Sequence, residues 1–258
     1  MRSKAQRLNR ERFSRTAEQF ATSPVIQKSS QVDSLLHLVA PSRGDLLLDV
    51  ACGPGRLLAT FAPHVRRAVG VDLTPEMLAI AGRQSIAGGG PAPGLVRGEG
   101  ERLPFRDGAF TLVTTTLAIH HYGDPRRVVA EMVRVCRMGG RIGVGDLVGP
   151  SDAAKRARQN EIERLRDPSH VEVLSAEGLE GLLTSFGLSV TGRASGSLTR
   201  ELNEWCRVAG TPPRVVERVR AMLLESQPGD LAGMDPVPVG GELRFRHDWT
   251  NLVCRKPA

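Results

Sequence analysis

Apolar runs alternate with helical patterns from Asp45 to Val148. Leu46–Val50 is a short, nearly continuous apolar run, which predicts a strand buried on both faces. Leu57–Val65 follows with helical spacing, and Ala68–Val71 predicts a second strand. Thr74 is a good N-cap and Pro75 fits the first helical position, so a helix carrying Met77, Leu78 and Ile80 runs to about Arg83. The Gly88–Gly94 stretch, with Pro91 and Pro93, predicts a loop. Further strands are expected at Leu95–Arg97, Leu112–Thr116 and Arg141–Leu147, and an amphipathic helix at Pro125–Val135. Strand–helix–strand at this spacing predicts an α/β fold: a doubly wound, mostly parallel sheet with crossover helices.

The second half is less regular. Ala153–Leu165 reads as a charged helix broken by Arg166-Asp167-Pro168. Ala176–Phe186 reads as helix, Leu188–Arg193 as a sixth strand and Trp249–Arg255 as the last. Residues 197–241 are too many for a plain connection; with Trp205, Pro212-Pro213 and a helix at Val215–Leu224 they predict a small cap over the ligand edge of the sheet. The expected organisation is an N-terminal helical arm (1–30), a core (31–196), the cap and a final strand (242–258).

Composition narrows the function class. The formal charge is +7, and residues 1–15 alone hold +5, from Arg2, Lys4, Arg7, Arg10, Arg12 and Arg15 against Glu11. Such an arm can touch RNA or an anionic lipid surface, but it has no interleaved aromatic residues beyond Phe13, so it reads as a solvated helix and a nucleic-acid partner is not expected. It carries no cofactor motif, so its removal is expected to leave cofactor binding intact. No apolar run of about 18 residues predicts a membrane span. Cys52, Cys136, Cys206 and Cys254 lie far apart without zinc or redox spacing, which fits a reducing cytoplasm and no metal site.

The chemistry sits at the strand ends. Leu48-Asp49-Val50-Ala51-Cys52-Gly53-Pro54-Gly55 closes the first strand with an acid and a small-residue loop, where a ligand can approach the backbone. Asp72 ends the second strand, placed for the hydroxyls of a ribose. A nicotinamide enzyme would use the same positions, but its fingerprint needs a third glycine, and Gly53-Pro54-Gly55 is followed by Arg56-Leu57-Leu58. An acid ahead of the loop suits a cofactor with a cationic ammonium group.

With Gly98-Glu99-Gly100-Glu101 and Arg137-Met138-Gly139-Gly140-Arg141, this ordered set resembles the class I S-adenosylmethionine-dependent methyltransferases, most closely the branch containing the ubiquinone and menaquinone C-methyltransferases. The resemblance covers roughly Ala17–Leu147. It implies a Rossmann-like sheet of seven strands with the last antiparallel, and S-adenosylmethionine as cofactor. It also implies that Asp49, Ala51, Gly53, Gly55 and the backbone near Thr116 surround the methionine end. Asp72 would hold the ribose, with Leu73 and Met77 beside the adenine and Glu99 and Gly100 at its edge. Three positions depart from the pattern: Ala51 for the first glycine, Glu99 for aspartate and Thr111 for an acid.

Leu117-Ala118-Ile119-His120-His121-Tyr122 follows the fourth strand and faces the transferable methyl group in such proteins. His120 and His121 are therefore the candidate general bases, and adjacent positions leave room for at most one to act. Arg166–Val171, with His170, is a second candidate for the acceptor side. Trp205 reads as core of the cap. The expected reaction is methyl transfer to carbon or oxygen of a small aromatic, quinol or polyketide-like acceptor. The alternatives are an RNA or protein methyltransferase using the arm, or a protein that binds the cofactor without catalysis.

Overall fold

The computed structural model describes residues 4–27, 30–87 and 91–258. Residues 1–3 and 28–29 of the expected arm and 88–90 of the expected loop lie outside them. Five parallel strands form one side of the sheet: β1 (Leu46–Val50), β2 (Arg67–Asp72), β3 (Gly94–Arg97), β4 (Phe110–Thr116) and β5 (Cys136–Val148). β6 (Ser189–Glu201), the short β7 (Val237–Val239) and β8 (Glu242–Arg255) complete it. The order is β3-β2-β1-β4-β5-β8-β6, with β8 antiparallel to its neighbours and β7 pairing beside it as an eighth strand. The chain winds outward from β1 in one direction and from β4 in the other. The crevice beyond the carboxyl ends of β1 and β4 is thus the switch point where a ligand belongs.

Helices cover both faces. α6 (Pro125–Val135) and α8 (Ala176–Thr184) bury Val128, Val129, Met132, Leu179 and Leu183 on one side. α3 (Gln31–Val39) and α4 (Arg56–Phe61) bury Leu35, Leu57, Leu58 and Phe61 on the other. Asp124 caps α6 by accepting from the Arg126 amide, and Pro125 sits at its first turn. α4 is shorter than the expected Leu57–Val65, because it tightens into a 3-10 turn at Ala62–His64 around Pro63, which has no amide hydrogen. α5 (Pro75–Ala87) starts at the expected proline. α7 (Ala153–Arg166) ends just before Asp167-Pro168.

Strands β6 and β8 both outrun their expected limits of Leu188–Arg193 and Trp249–Arg255. β6 is polar and glycine-rich and is held by its pairing along β8, with every second residue turned to solvent, so it shows no apolar run. The stretch expected as a cap therefore begins inside β6; its helices are α9 (Leu202–Ala209) and α10 (Pro213–Ser226), whose core holds Trp205, Val219 and Leu223.

The N-terminal helix α1 (Lys4–Ala21), followed by the single turn α2 (Pro24–Gln27), is more than a solvated arm. Its Ala17 and Ala21 pack on Met77 and Ile80 of α5, and Arg12 is only 5% exposed. Among the described residues no helix is long and apolar enough to cross a membrane.

Candidate active site

The loop after β1 is built on left-handed backbone: Ala51 at φ 55°, Gly53 at 51° and Gly55 at 85°. Ala51 carries a Cβ in a conformation that costs roughly 1–2 kcal/mol for an L-residue. Gly55 does a different job from its neighbours, because a Cβ there would stand 2.8 Å from the Ala81 Cβ of α5. It lets α4 start against α5 and does not line the cleft. Gly53 donates its amide to Asp72 Oδ2 and Thr74 donates to Asp72 Oδ1, each at 2.8 Å. The acid at the end of β2 therefore shapes the loop at the end of β1.

Above this loop lies a cleft with about 1170 Å³ of open space, its mouth included. Ala51, Gly53, Asp72, Leu73, Met77, Glu99, Gly100, Thr116 and His121 all line it. Asp49 lies behind the wall, 1% exposed, accepting from Thr114 Oγ1 at 2.9 Å. Burial pushes its carboxyl up to about 8 against that hydrogen bond, and the nearby Asp72 adds to the rise. Burial likewise raises Asp72, although the Thr74 and Gly53 amides oppose it. No cation pairs with either carboxylate among the described residues. Two buried acids without a cation, beside an open small-residue loop, match a ligand that presents an ammonium group and ribose hydroxyls. The residues present fit S-adenosylmethionine on that ground.

The histidines occupy the 3-10 turn Ile119–His121 after β4. The structure places them in different surroundings. His120 is buried and lines a second chamber, while His121 is half-buried and lines both spaces. His120 Nδ1 lies 2.6 Å from Asp146 Oδ1, and its amide donates to Asp146 Oδ2 at 3.1 Å. Burial disfavours the charged ring, but Asp146 outweighs burial through charge and hydrogen bond, so the His120 pKa is raised. His121 Nδ1 is 3.1 Å from the Ser169 carbonyl, which makes it the protonated nitrogen of a neutral ring. Burial and the neighbouring His120 hold His121 well below the usual histidine range, and Asp167 only partly opposes them.

The Arg166–Val171 segment meets this pair. The Val171 amide donates to the His120 carbonyl at 2.9 Å, and the His170 ring is 5.6 Å from that of His120. His170 Nε2 faces Asn160 Oδ1 at 2.8 Å, and burial lowers the ring to about 4. α1 closes the front. Asn9 donates to the His121 carbonyl at 2.8 Å, and Phe13 meets the His121 ring edge-on at 5.1 Å.

Several of these residues escape the sequence reading. Asp146 lies in an apolar strand, and its signal is a lone acid in Gly143-Val144-Gly145-Asp146-Leu147. Arg12 belongs to a charge run that looks like surface. Arg200 and His247 reach the chamber from the far end of the chain, and no local pattern marks them; Trp205, expected as core of the cap, lines it too. Thr111, where the resemblance expects an acid, sits at the opposite end of the sheet and donates to Asp45 Oδ1 at 2.6 Å. It has no part in the site.

Comparison with known proteins agrees with this geometry. Residues 48–144 match the family model of a methyltransferase domain. The uncharacterised methyltransferase YcgJ of Bacillus subtilis is 29% identical over 200 residues, which cover 78% of this chain and 79% of that protein. A demethylmenaquinone methyltransferase of Clavibacter sepedonicus is 30% identical over 138 residues, covering 54% of this chain and 56% of that one. The solved structure of a candidate methyltransferase from Bacillus halodurans C-125 superposes with a TM-score of 0.84 at 26% identity, covering 89% of this chain and 100% of that one. With sheet order, loop chemistry, domain match and relatives in agreement, the chain is a class I S-adenosylmethionine-dependent methyltransferase.

Proposed function

We propose that this enzyme methylates an oxygen or carbon of a small acceptor held in the second chamber, with His120 as general base. The observation that carries the reading is the His120–Asp146 pair in a chamber adjoining the cofactor cleft, with His121 and Leu117 on the shared wall. In the cleft, Asp72 would take the ribose hydroxyls and Asp49 the ammonium group, directly or through water. Ala51, Gly53 and the backbone at Thr116 would flank the methionine end. Leu73 and Met77 would lie beside the adenine, and Glu99 and the Gly100 amide at its edge. Gly55 acts through packing.

S-adenosylmethionine, when bound, supplies an electrophilic methyl group on a sulfonium that departs as a neutral thioether. With Nδ1–H given to Asp146, His120 has its lone pair on Nε2. That nitrogen takes the acceptor's proton as the acceptor atom bonds to the methyl carbon, and Asp146 stabilises the imidazolium formed. Alignment of the reacting atoms contributes most, roughly 7–11 kcal/mol, and the base adds about 10²–10⁴-fold. The α1 roof over both spaces favours a small acceptor over RNA or protein. The four cysteines are free and buried, which suits a cytoplasmic setting. The test is single-turnover methylation of a panel of phenols, quinols and enolisable acids. Methylation of RNA alone would sink the reading.

A further inference from the structure

The chamber beyond His121 is lined unlike a site for a prenylated quinol. Arg12 reaches in from α1, Arg166 from the end of α7 and Arg200 from β6. All three guanidinium groups are engaged on one side. Arg12 Nε is 3.1 Å from Asp167 Oδ2, Arg166 is 3.4 Å from the same oxygen, and Arg200 is 2.8 Å from Glu204. Even so, Arg12 Nη1, Arg166 Nε and Arg200 Nε are buried without a hydrogen-bond partner. A buried donor left unpaired has lost its water and gained nothing in exchange, and the loss is greater when the group is charged. The acids of the chamber are already committed: Asp167 to Arg12 and Arg166, and Glu163 to Arg166 at 3.6 Å and to His247 at 3.0 Å. Glu163 Oε1 also lacks a hydrogen bond but stands 3.0 Å from His247 Nε2, so the unpaired donors of three guanidinium groups outnumber it and call for acceptor oxygens.

Apart from four histidines, the rest of the wall is apolar. Trp205 lies under the Arg166 guanidinium at 4.4 Å, and Leu147, Leu198 and Val208 line the space beside it. The space is about 630 Å³ with its opening to solvent counted in.

We infer that the methyl acceptor is a compact aromatic acid, with its carboxylate at Arg12 and its ring against the Trp205 side of the chamber. The inference rests on the chamber being the acceptor site. It excludes an acceptor with a long isoprenoid tail, since burying such a tail among these guanidinium groups would strip their solvent without supplying an oxygen. Arg12 also makes the N-terminal helix part of acceptor recognition, because the residue that meets the carboxylate rides on the roof.

The experiment uses 4-hydroxybenzoate and 4-hydroxybenzamide, which share a ring and a phenol and differ in charge at one end. Each is titrated calorimetrically into the full chain saturated with S-adenosylhomocysteine. The acid should bind at least tenfold more tightly than the amide. Arg12→Gln should erase that preference by weakening the acid alone, and Arg12→Lys should restore part of it. Equal binding of the two probes to the parent protein, tighter binding of the amide, or binding of neither overturns the inference. So does an acid preference that survives in folded Arg12→Gln. If Arg12→Gln does not fold, the comparison of the two probes on the parent protein decides. Failure of S-adenosylhomocysteine itself to bind would instead count against the methyltransferase reading, and the probes would then be compared on the free chain.

Discussion

His120 gives its Nδ1 to the carboxylate of Asp146 at 2.6 Å, whereas His121, one residue later, gives its Nδ1 to the Ser169 carbonyl at 3.1 Å. Neighbours in sequence thus sit in opposite electrostatic states, one raised and one lowered. His120→Ala should cut the single-turnover rate by about 10²–10⁴-fold. His121→Ala should cost less than about tenfold, since losing a wall residue disturbs positioning only. Rates for both variants across pH 5 to 9 check this, and a larger loss from His121→Ala would reverse the assignment.

Asp146→Asn tests the same pair from the other side. Only neutral His120 accepts a proton, so the rate should rise with pH through the raised His120 pKa. Removing the carboxylate charge removes what raises it, so the rising limb should move to lower pH while the plateau rate falls. An unmoved limb in the variant would detach Asp146 from catalysis.

The cofactor cleft predicts selective binding. S-adenosylhomocysteine should bind and NAD should not. Asp72→Asn should weaken the former by about 1.5–3 kcal/mol, the scale of hydrogen bonds to a charged group. Asparagine is preferred to alanine because Asp72 also accepts the Gly53 and Thr74 amides. Calorimetric affinity equal to the parent's would place the ribose elsewhere.

Asp49 predicts a pH dependence of that affinity. Its carboxyl stands at about 8 in the free protein, and an ammonium group binds the ionised form better. Binding therefore releases a proton, and affinity should climb with pH up to about 8 and then level. Asp49→Asn should flatten the climb. A parent protein with pH-independent affinity between 6 and 8 would separate Asp49 from the cofactor.

Truncation of residues 1–15 should weaken S-adenosylhomocysteine at least tenfold. The sequence alone suggested no effect, but Asn9, Arg10 and Phe13 line the cleft. An unchanged affinity in a folded truncated chain would make the roof dispensable.

Acid should destabilise the fold through His170. Its folded pKa is lowered to about 4 from an ordinary 6.5, so the unfolded chain binds the extra proton first as pH falls. The stability contributed by the neutral ring is present above about 6.5 and is lost as pH falls through about 4. Denaturant midpoints should drop across that window, and His170→Gln should shrink the drop.

How far the sequence alone carried can be seen residue by residue. The β1 loop, the acid ending β2 and the strand–helix alternation are local patterns, because strand burial and turn chemistry are written in consecutive residues. They were enough for the α/β class, the cofactor and the placement of Asp72 and Gly53 on the cleft. The two histidines were legible as a pair but not as individuals, since what distinguishes them is Asp146 on β5 and Ser169 after α7. Gly55 reads from the sequence as a ligand residue, while the fold sets it against Ala81; the hydrogen bond that holds Asp49 to Thr114 inside the sheet has no local signal. The polar strand β6 was cut short because its pairing along β8, and not an apolar run of its own, holds it in place. Arg12 shows the limit most plainly. In the chain it is one of six basic residues in a row of charges, and only the packing of α1 on α5 turns it inward beside Asp167. Local preference determined the elements and the cofactor loop. The acceptor chamber was decided by tertiary structure, because its walls come from α1, the turn after β4, the end of α7, β6, α9 and β8, and sequence spacing holds no record of which distant charges meet.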